Sequence, residues 1–169
     1  LYPIYSANER GQMSGPLTSY RIIDLSSMIS GPLATMILGD QGADVIKVEA
    51  PQRPDYTRQA GYGPKELRAT FLNNNRNKRS IVLNLKHARG VEILLKLVAG
   101  ADVFIQNFRP GVAARMGLGE DVIRSVKSDV VYVSIAGFGF EGPYAERPVY
   151  DPLIQSLSGL ASVQVYWLR

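Results

Sequence analysis

The chain has 169 residues, 46% hydrophobic and 20% charged, with a formal net charge of +4 and no cysteine. That length suits one domain with a sizeable core, and the missing cysteines exclude disulfides, thiolate catalysis and Cys-ligated zinc. The positive balance fits an anionic partner without naming one, whether nucleic acid or a phosphorylated cofactor.

Short apolar runs alternate with helical patterns along the chain. Residues 1–12 lack the charged-then-apolar order of a signal peptide and read as a leader or fusion scar ahead of Met13. Arg21–Leu25 reads as a strand. Gly31-Pro32 opens a helix to about Asp40, with Ser30 as its cap and Gly42 as its stop. Ala43–Val48 is a second strand, followed by a loop over Pro51–Lys65. Phe71–Asn77 is expected to turn into a third strand, Ser80–Asn84. Ala88–Val98 is an amphipathic helix carrying Val91, Leu94, Leu95 and Val98 on one face. Asp102–Gln106 is a fourth strand, Val112–Met116 and Glu120–Val126 are short helices, and Val130–Ile135 is a fifth strand. A Gly/Pro loop leads to a helix capped by Asp151, with Pro152 in its first turn.

This alternation predicts an α/β fold, a Rossmann-like parallel sheet with helices on both faces. Ligands of such sheets bind at the carboxyl ends of the strands. The loops after Leu25, Val48, Leu85, Gln106 and Ile135 are therefore where chemistry belongs. No apolar run is long enough to span a bilayer, and the composition suits a cytoplasmic protein.

Gly137, Gly139 and Gly142 spell a formal G-x-G-x-x-G after a strand. A dinucleotide site needs the third glycine in an opening helix, whereas Pro143 and Pro148 keep this stretch irregular. Asn73–Ser80 is rich in amides and cations and reads either as a phosphate-binding turn or as a solvated polar one. Asn107-Phe108-Arg109 at a strand exit pairs an aromatic face and a guanidinium with an amide, which suits an adenine ring and a phosphate, or merely a turn. His87, the one histidine, sits at a helix start among cations and reads as a surface residue. No carboxylate cluster accompanies it to bind metal, and no recognised nucleic-acid module is present.

Seven ordered blocks run through the chain. They are Arg21–Leu25, Ser30-Gly-Pro32, Gly42–Pro51, Asn75–Asn84, Asn107–Gly111, Arg115–Gly119 and Gly137–Pro143. Together they resemble the family III CoA-transferases over about Gly15 to Val163. The resemblance implies the large-domain N-terminal part of an interlocked homodimer. It also implies a reaction between an acyl-CoA and a carboxylic acid through an aspartyl-CoA intermediate, with CoA as substrate and no metal. By position it assigns CoA contacts to Ile29 and Ser30, to Leu83, Asn84, Leu85 and Lys86, to Asn107, Phe108 and Arg109, and to Arg115. Arg147, Val149 and Tyr150 match a stretch near the pantetheine and thioester. Family members often carry a basic residue where Ala50 stands, and Arg53 or Arg58 is the expected substitute. The racemases of the family have a catalytic histidine at Tyr150, and a phenol is a poor base at neutral pH, so a transferase is expected. The family nucleophile, an aspartate, has no match here. Residues 13–164 are accordingly expected to be a truncated CoA-binding portion, with 165–169 an atypical tail.

Overall fold

The computed structural model describes residues 15–63 and 68–167. Residues 1–12 and Met13, read above as a leader and a start, lie outside the described residues, as do the last two residues of the 165–169 tail. The chain divides into two compact units, the first ending at Ile135 and the second beginning at Ala136.

The first unit is built on five parallel strands: β1 (Arg21–Asp24), β2 (Asp44–Glu49), β3 (Lys78–Val82), β4 (Val103–Gln106) and β5 (Val131–Ser134). Their spatial order is β3-β2-β1-β4-β5. The winding therefore reverses between β1 and β4, and in open α/β sheets ligands bind at the carboxyl ends of the strands at such a switch point. Five helices connect them: α1 (Ser30–Asp40), α2 (Ala69–Asn75), α3 (Ala88–Val98), α4 (Val112–Arg115) and α5 (Glu120–Val126).

Both faces of the sheet are covered, because β1 and β2 carry buried apolar residues on both sides, joined on one side by the buried Asp24, Lys47 and Glu49. Ile22, Val45 and Ile105 pack with Leu38 of α1 on one face. Ile23, Ile46, Val48 and Phe104 pack with Leu94 and Val98 of α3 and Ile123 of α5 on the other. Phe104 also stacks on its register partner Tyr132, with ring centroids 5.3 Å apart. α3 occupies the span its apolar spacing predicts, and Leu94 and Val98 are fully buried.

Several local expectations are corrected. Ser30 does not cap α1: Leu33 N–H bonds the Ile29 carbonyl at 2.8 Å, so Ile29 takes the cap position and Ser30 is the first helical residue. Residues 69–75 are helical rather than a turn. The amide-rich sequence is a poor helix former, but Phe71 is buried beneath the Arg58 guanidinium, 3.7 Å from its ring centroid, and Asn74 is buried too. Packing overrides propensity there, and β3 then starts two residues earlier than expected, after a left-handed Asn77 with φ 61°.

The second unit contains α6 (Asp151–Leu157) and α7 (Leu160–Trp167). Asp151 is not a cap. Tyr150 precedes α6 and its carbonyl receives Leu153 and Ile154 N–H, while the Asp151 carboxylate accepts from Gln155 Nε2 one turn on. No helix or strand occurs between Ala136 and Tyr150, so the glycine loop opens no dinucleotide-type helix.

Candidate active site at the sheet switch point

The carboxyl ends of β1 and β4 are tied directly. Asn107, just beyond β4, uses both ends of its amide on one residue of the β1–α1 loop. Its Oδ1 accepts from Ser27 N–H at 3.0 Å and its Nδ2 donates to the Ser27 carbonyl at 2.8 Å. The neighbouring loop amides are pinned as well: Ser26 N–H by Asp24 Oδ1 at 2.8 Å, and Met28 N–H by Asp55 Oδ1 at 3.2 Å. Three successive N–H groups thus donate to side chains from β1, from the β4 exit and from the loop after β2. Gly31 completes the fit, since a Cβ there would lie 2.3 Å from Ser26 Cβ and Oγ.

Beneath the loop runs a buried ionic network. Asp24 and Lys47 are register partners on β1 and β2 and both are sequestered from solvent. Asp24 Oδ2 accepts from Lys78 Nζ at 3.0 Å and from Thr35 Oγ1 at 2.7 Å, and Oδ1 also accepts from Ser26 Oγ. Lys47 Nζ donates to the Ser26 carbonyl at 2.9 Å and to Asp55 Oδ2 at 3.0 Å. Glu49 receives Arg58 through two bonds of 2.9 and 2.6 Å and the Asp55 N–H at 3.0 Å.

Burial pushes the Asp24 carboxyl upward, but the Lys78 and Lys47 ammoniums and the Ser26 and Thr35 hydroxyls outweigh it and hold it below the ordinary carboxylate range. Asp55 is likewise raised by burial and brought below its ordinary value by Lys47 and Thr57. Glu49 follows the same pattern through Arg58 and the Asp55 N–H. Lys78 Nζ meets three acceptors, Asp24 Oδ2, the Pro32 carbonyl and Asn75 Oδ1, at 3.0, 2.9 and 3.0 Å. Three acceptors around one nitrogen call for the ammonium form with its three donors.

No sequence motif marks this network. The signal was Val45-Ile-Lys-Val-Glu49, where strand alternation puts Lys47 and Glu49 on one face of an otherwise apolar strand. A lysine inside such a strand needs a buried partner, and Asp24, ending an apolar strand of its own, supplies part of the answer.

The structure separates the remaining site candidates by what they touch. Ile29 is exposed at the start of α1, beside Ser30. At the β3 exit, Leu83 is buried and continues the ladder through Leu83 N–H to the Glu49 carbonyl at 2.9 Å, and Leu85 packs on the core. Asn84 and Lys86 are exposed, with Lys86 N–H donating to Asn84 Oδ1. Gly90 lets α3 approach this segment closely, as a Cβ there would sit 2.1 Å from the Asn84 carbonyl oxygen. Phe108 is half-buried on the core while its N–H donates to Gln106 Oε1 at 2.7 Å, and Arg109 is exposed just beyond. Arg115 ends α4, exposed, its Nη1 over the Gly111 backbone. The side chains of Lys86, Arg109 and Arg115 have no acidic partner among the described residues. Such exposed guanidinium and ammonium groups can meet phosphate without first breaking an ion pair.

The other basic candidates are occupied. Arg76 and Asn77 bind Asp40, Arg79 binds Asp44, and Lys78 binds Asp24. Neither reading of 73–80 holds as a whole: residues 73–75 end α2 and 78–80 begin β3, Asn74 and the Lys78 side chain are buried, and the 76–77 link lies at the amino end of β3, opposite the switch loops. Arg58 is engaged by Glu49 and Phe71, whereas Arg53 is exposed beside Ala50. His87 is exposed at the start of α3, where its Nδ1 accepts from Arg89 N–H at 3.2 Å. In the second unit, Arg147 lies 4.4 Å above the Tyr144 ring, Val149 packs against the Gly137 backbone, and Tyr150 is exposed. Among the described residues no group of three or more His, Cys, Asp or Glu side chains is placed to hold a metal ion. No described helix is long and apolar enough to cross a membrane.

Comparison with known proteins agrees with this architecture. The mouse succinyl-CoA:glutarate CoA-transferase is 45% identical over 149 residues, which is 88% of this chain and 34% of that protein. The acetyl-CoA:oxalate CoA-transferase of Acetobacter aceti is 42% identical over 148 residues, 86% of this chain and 38% of the relative. The chain therefore spans a little over a third of the length of these curated relatives. A CAIB/BAIF family protein from Brucella suis superposes with a TM-score of 0.80 at 38% identity, covering 86% of this chain and 40% of that one. The family model described as CoA-transferase family III matches residues 17–166. A match over so much of the chain, together with the parallel sheet and its switch-point loops, places this protein in CoA-transferase family III.

Proposed function

We propose that this chain carries the CoA-binding part of an enzyme that moves CoA between an acyl-CoA and a carboxylic acid. The observation that carries the reading is the switch point itself. The β1–α1 loop is locked to the β4 exit through Asn107, and Arg109 and Arg115 stand exposed beyond it without acidic partners among the described residues. Ile29 and Ser30 line one side of the nucleotide site, and Leu83 to Lys86 the adenosine end. Phe108 and Arg109 serve the adenine and a phosphate, and Arg115 a further phosphate. Asn107 contributes by holding Ser27 rather than by meeting the ligand. Arg147, Val149 and Tyr150 serve the pantetheine and thioester.

In the complete enzyme an aspartate from outside this chain attacks the acyl-CoA carbonyl. The bond to sulfur breaks and a mixed anhydride forms. The released thiolate attacks the aspartyl carbonyl and expels the first carboxylate, leaving an aspartyl-CoA thioester. The acceptor carboxylate repeats the two steps in reverse and regenerates the aspartate. The named relatives act with glutarate and with oxalate, which supports a dicarboxylic acid as one substrate. The complete enzyme is an interlocked homodimer working in the cytoplasm, and this chain alone has little turnover.

Isothermal titration with CoA, repeated with 3′-dephospho-CoA, tests the binding claim. Saturable CoA binding that weakens when the 3′-phosphate is absent is expected. A folded sample that binds neither ligand refutes it.

A further inference from the structure

We propose that Asp55 is a positioning residue for the coenzyme, acting through the backbone of the β1–α1 loop. This rests on the assignment of that loop to CoA given above.

Asp55 belongs to neither β2 nor α2, yet it is 3% exposed. Its two oxygens are divided between two tasks. Oδ2 takes Lys47 Nζ at 3.0 Å, within a pair whose side chains are 2% and 1% exposed. Oδ1 takes Thr57 N–H and Oγ1 at 3.0 and 2.7 Å and, across 27 residues of sequence, Met28 N–H at 3.2 Å. Its own N–H is fixed by Glu49 Oε1. The carboxylate is therefore held from below by Lys47 and from the side by Thr57, Glu49 fixes the Asp55 backbone, and Oδ1 is left facing the Met28 N–H of the loop.

Met28 needs that acceptor. Its φ is 70°, in the left-handed region where a non-glycine residue is disfavoured. Such backbone persists only when its surroundings over-determine it. On one side Ser27 is fixed by Asn107, and on the other Ile29 enters α1. The Met28 N–H between them has Asp55 as its partner. Remove the carboxylate and Met28 relaxes toward ordinary φ, which redirects Ile29 and Ser30. The ligand must then select the competent loop from a mixture, and its apparent affinity falls by the fraction so populated.

The test uses the whole chain, with isothermal titration of CoA and residue-resolved amide exchange. Asp55→Ala should weaken CoA about tenfold, the scale set by one non-glycine residue held in the left-handed region. The Met28 amide should exchange faster by a larger factor than the Ile22 and Ile23 amides of β1, which report only the stability lost when Lys47 loses its partner. Adding Met28→Gly to Asp55→Ala should recover most of the affinity, because glycine adopts that φ without help. A loss of general stability would not be repaired in this way. In the unsubstituted chain, saturating CoA should slow Met28 exchange, a readout independent of how well the variant folds. Three results would overturn the proposal: unchanged CoA affinity in folded Asp55→Ala, affinity that Met28→Gly fails to restore, or Met28 exchange insensitive to CoA. Absence of CoA binding by the unsubstituted chain would instead remove the coenzyme assignment, and this proposal with it.

Discussion

Replacing Asp24 by alanine should be among the most damaging single substitutions in the first unit. Asp24 is fully buried and receives Lys78 Nζ, Thr35 Oγ1 and two donors of Ser26. Without it, the Lys78 ammonium, with a side chain 1% exposed, keeps only the Pro32 carbonyl and the Asn75 amide oxygen. Removing one member of a buried pair costs about 3–5 kcal/mol, because the other charge is left without compensation. That is a large part of the roughly 5–15 kcal/mol that holds a domain together. With a urea dependence of about 1–3 kcal/mol per molar, the unfolding midpoint should drop by about 2 M. The double substitution Asp24→Ala with Lys78→Met removes both charges and should recover most of the loss, since apolar replacements of buried pairs are often neutral. Equilibrium urea unfolding of the three proteins decides the matter. A cost below about 1 kcal/mol for the single substitution, the value of an exposed pair such as Arg76–Asp40, would show that Lys78 does not depend on Asp24. A double variant as unstable as the single one would show it equally.

Acid should unfold the protein through the same groups. Asp24, Asp55 and Glu49 all have folded-state values below their ordinary 3.8, 3.8 and 4.5, so the unfolded chain binds more protons there and stability rises with pH through that window. The contribution is whole above the ordinary values and lost as pH falls through the depressed ones, and a urea-midpoint profile that is flat below pH 4.5 would contradict this. Gly90→Ala should displace the Asn84 segment, whose carbonyl oxygen would lie 2.1 Å from the new Cβ. It should destabilise by about 1–3 kcal/mol, the usual cost of overpacking, and weaken CoA binding, both readable by urea unfolding and calorimetry. Arg109→Ala and Arg115→Ala should each weaken CoA by about tenfold or more, as loss of a charge-assisted hydrogen bond requires, with thermal stability unchanged. A melting temperature that fell with the affinity would point to a structural role instead.

How much of this could be read beforehand depended on the range of the interactions involved. Strand and helix positions were legible because alternation and 3.6-residue spacing are local: α3 and α5 occupy their expected spans, and the strands are displaced by no more than about two residues. Two helices were not legible: α7, and α2, whose amides give no helical signal and which forms because Phe71 is trapped under Arg58. The sequence leaves Asn107 open as a ligand-facing amide or part of a turn, and the structure gives it the two backbone groups of Ser27, 80 residues earlier, as partners. The basic run at 76–79 looked alike for phosphate or solvent until Asp24, Asp40 and Asp44 took its side chains.

The sequence alone therefore determined the α/β class, the parallel sheet and the family, since each is written in short-range periodicity or in ordered motif blocks. Only the tertiary structure decided which charges are spent on one another and which remain for a ligand. Asp24, Lys47, Asp55 and Lys78 lie on four separate segments, and only the closing of the parallel sheet brings them within hydrogen-bond reach. A buried charge is tolerable only with such a partner, so the network forms as the sheet closes and pins the β1–α1 loop through Asp24 and Asp55.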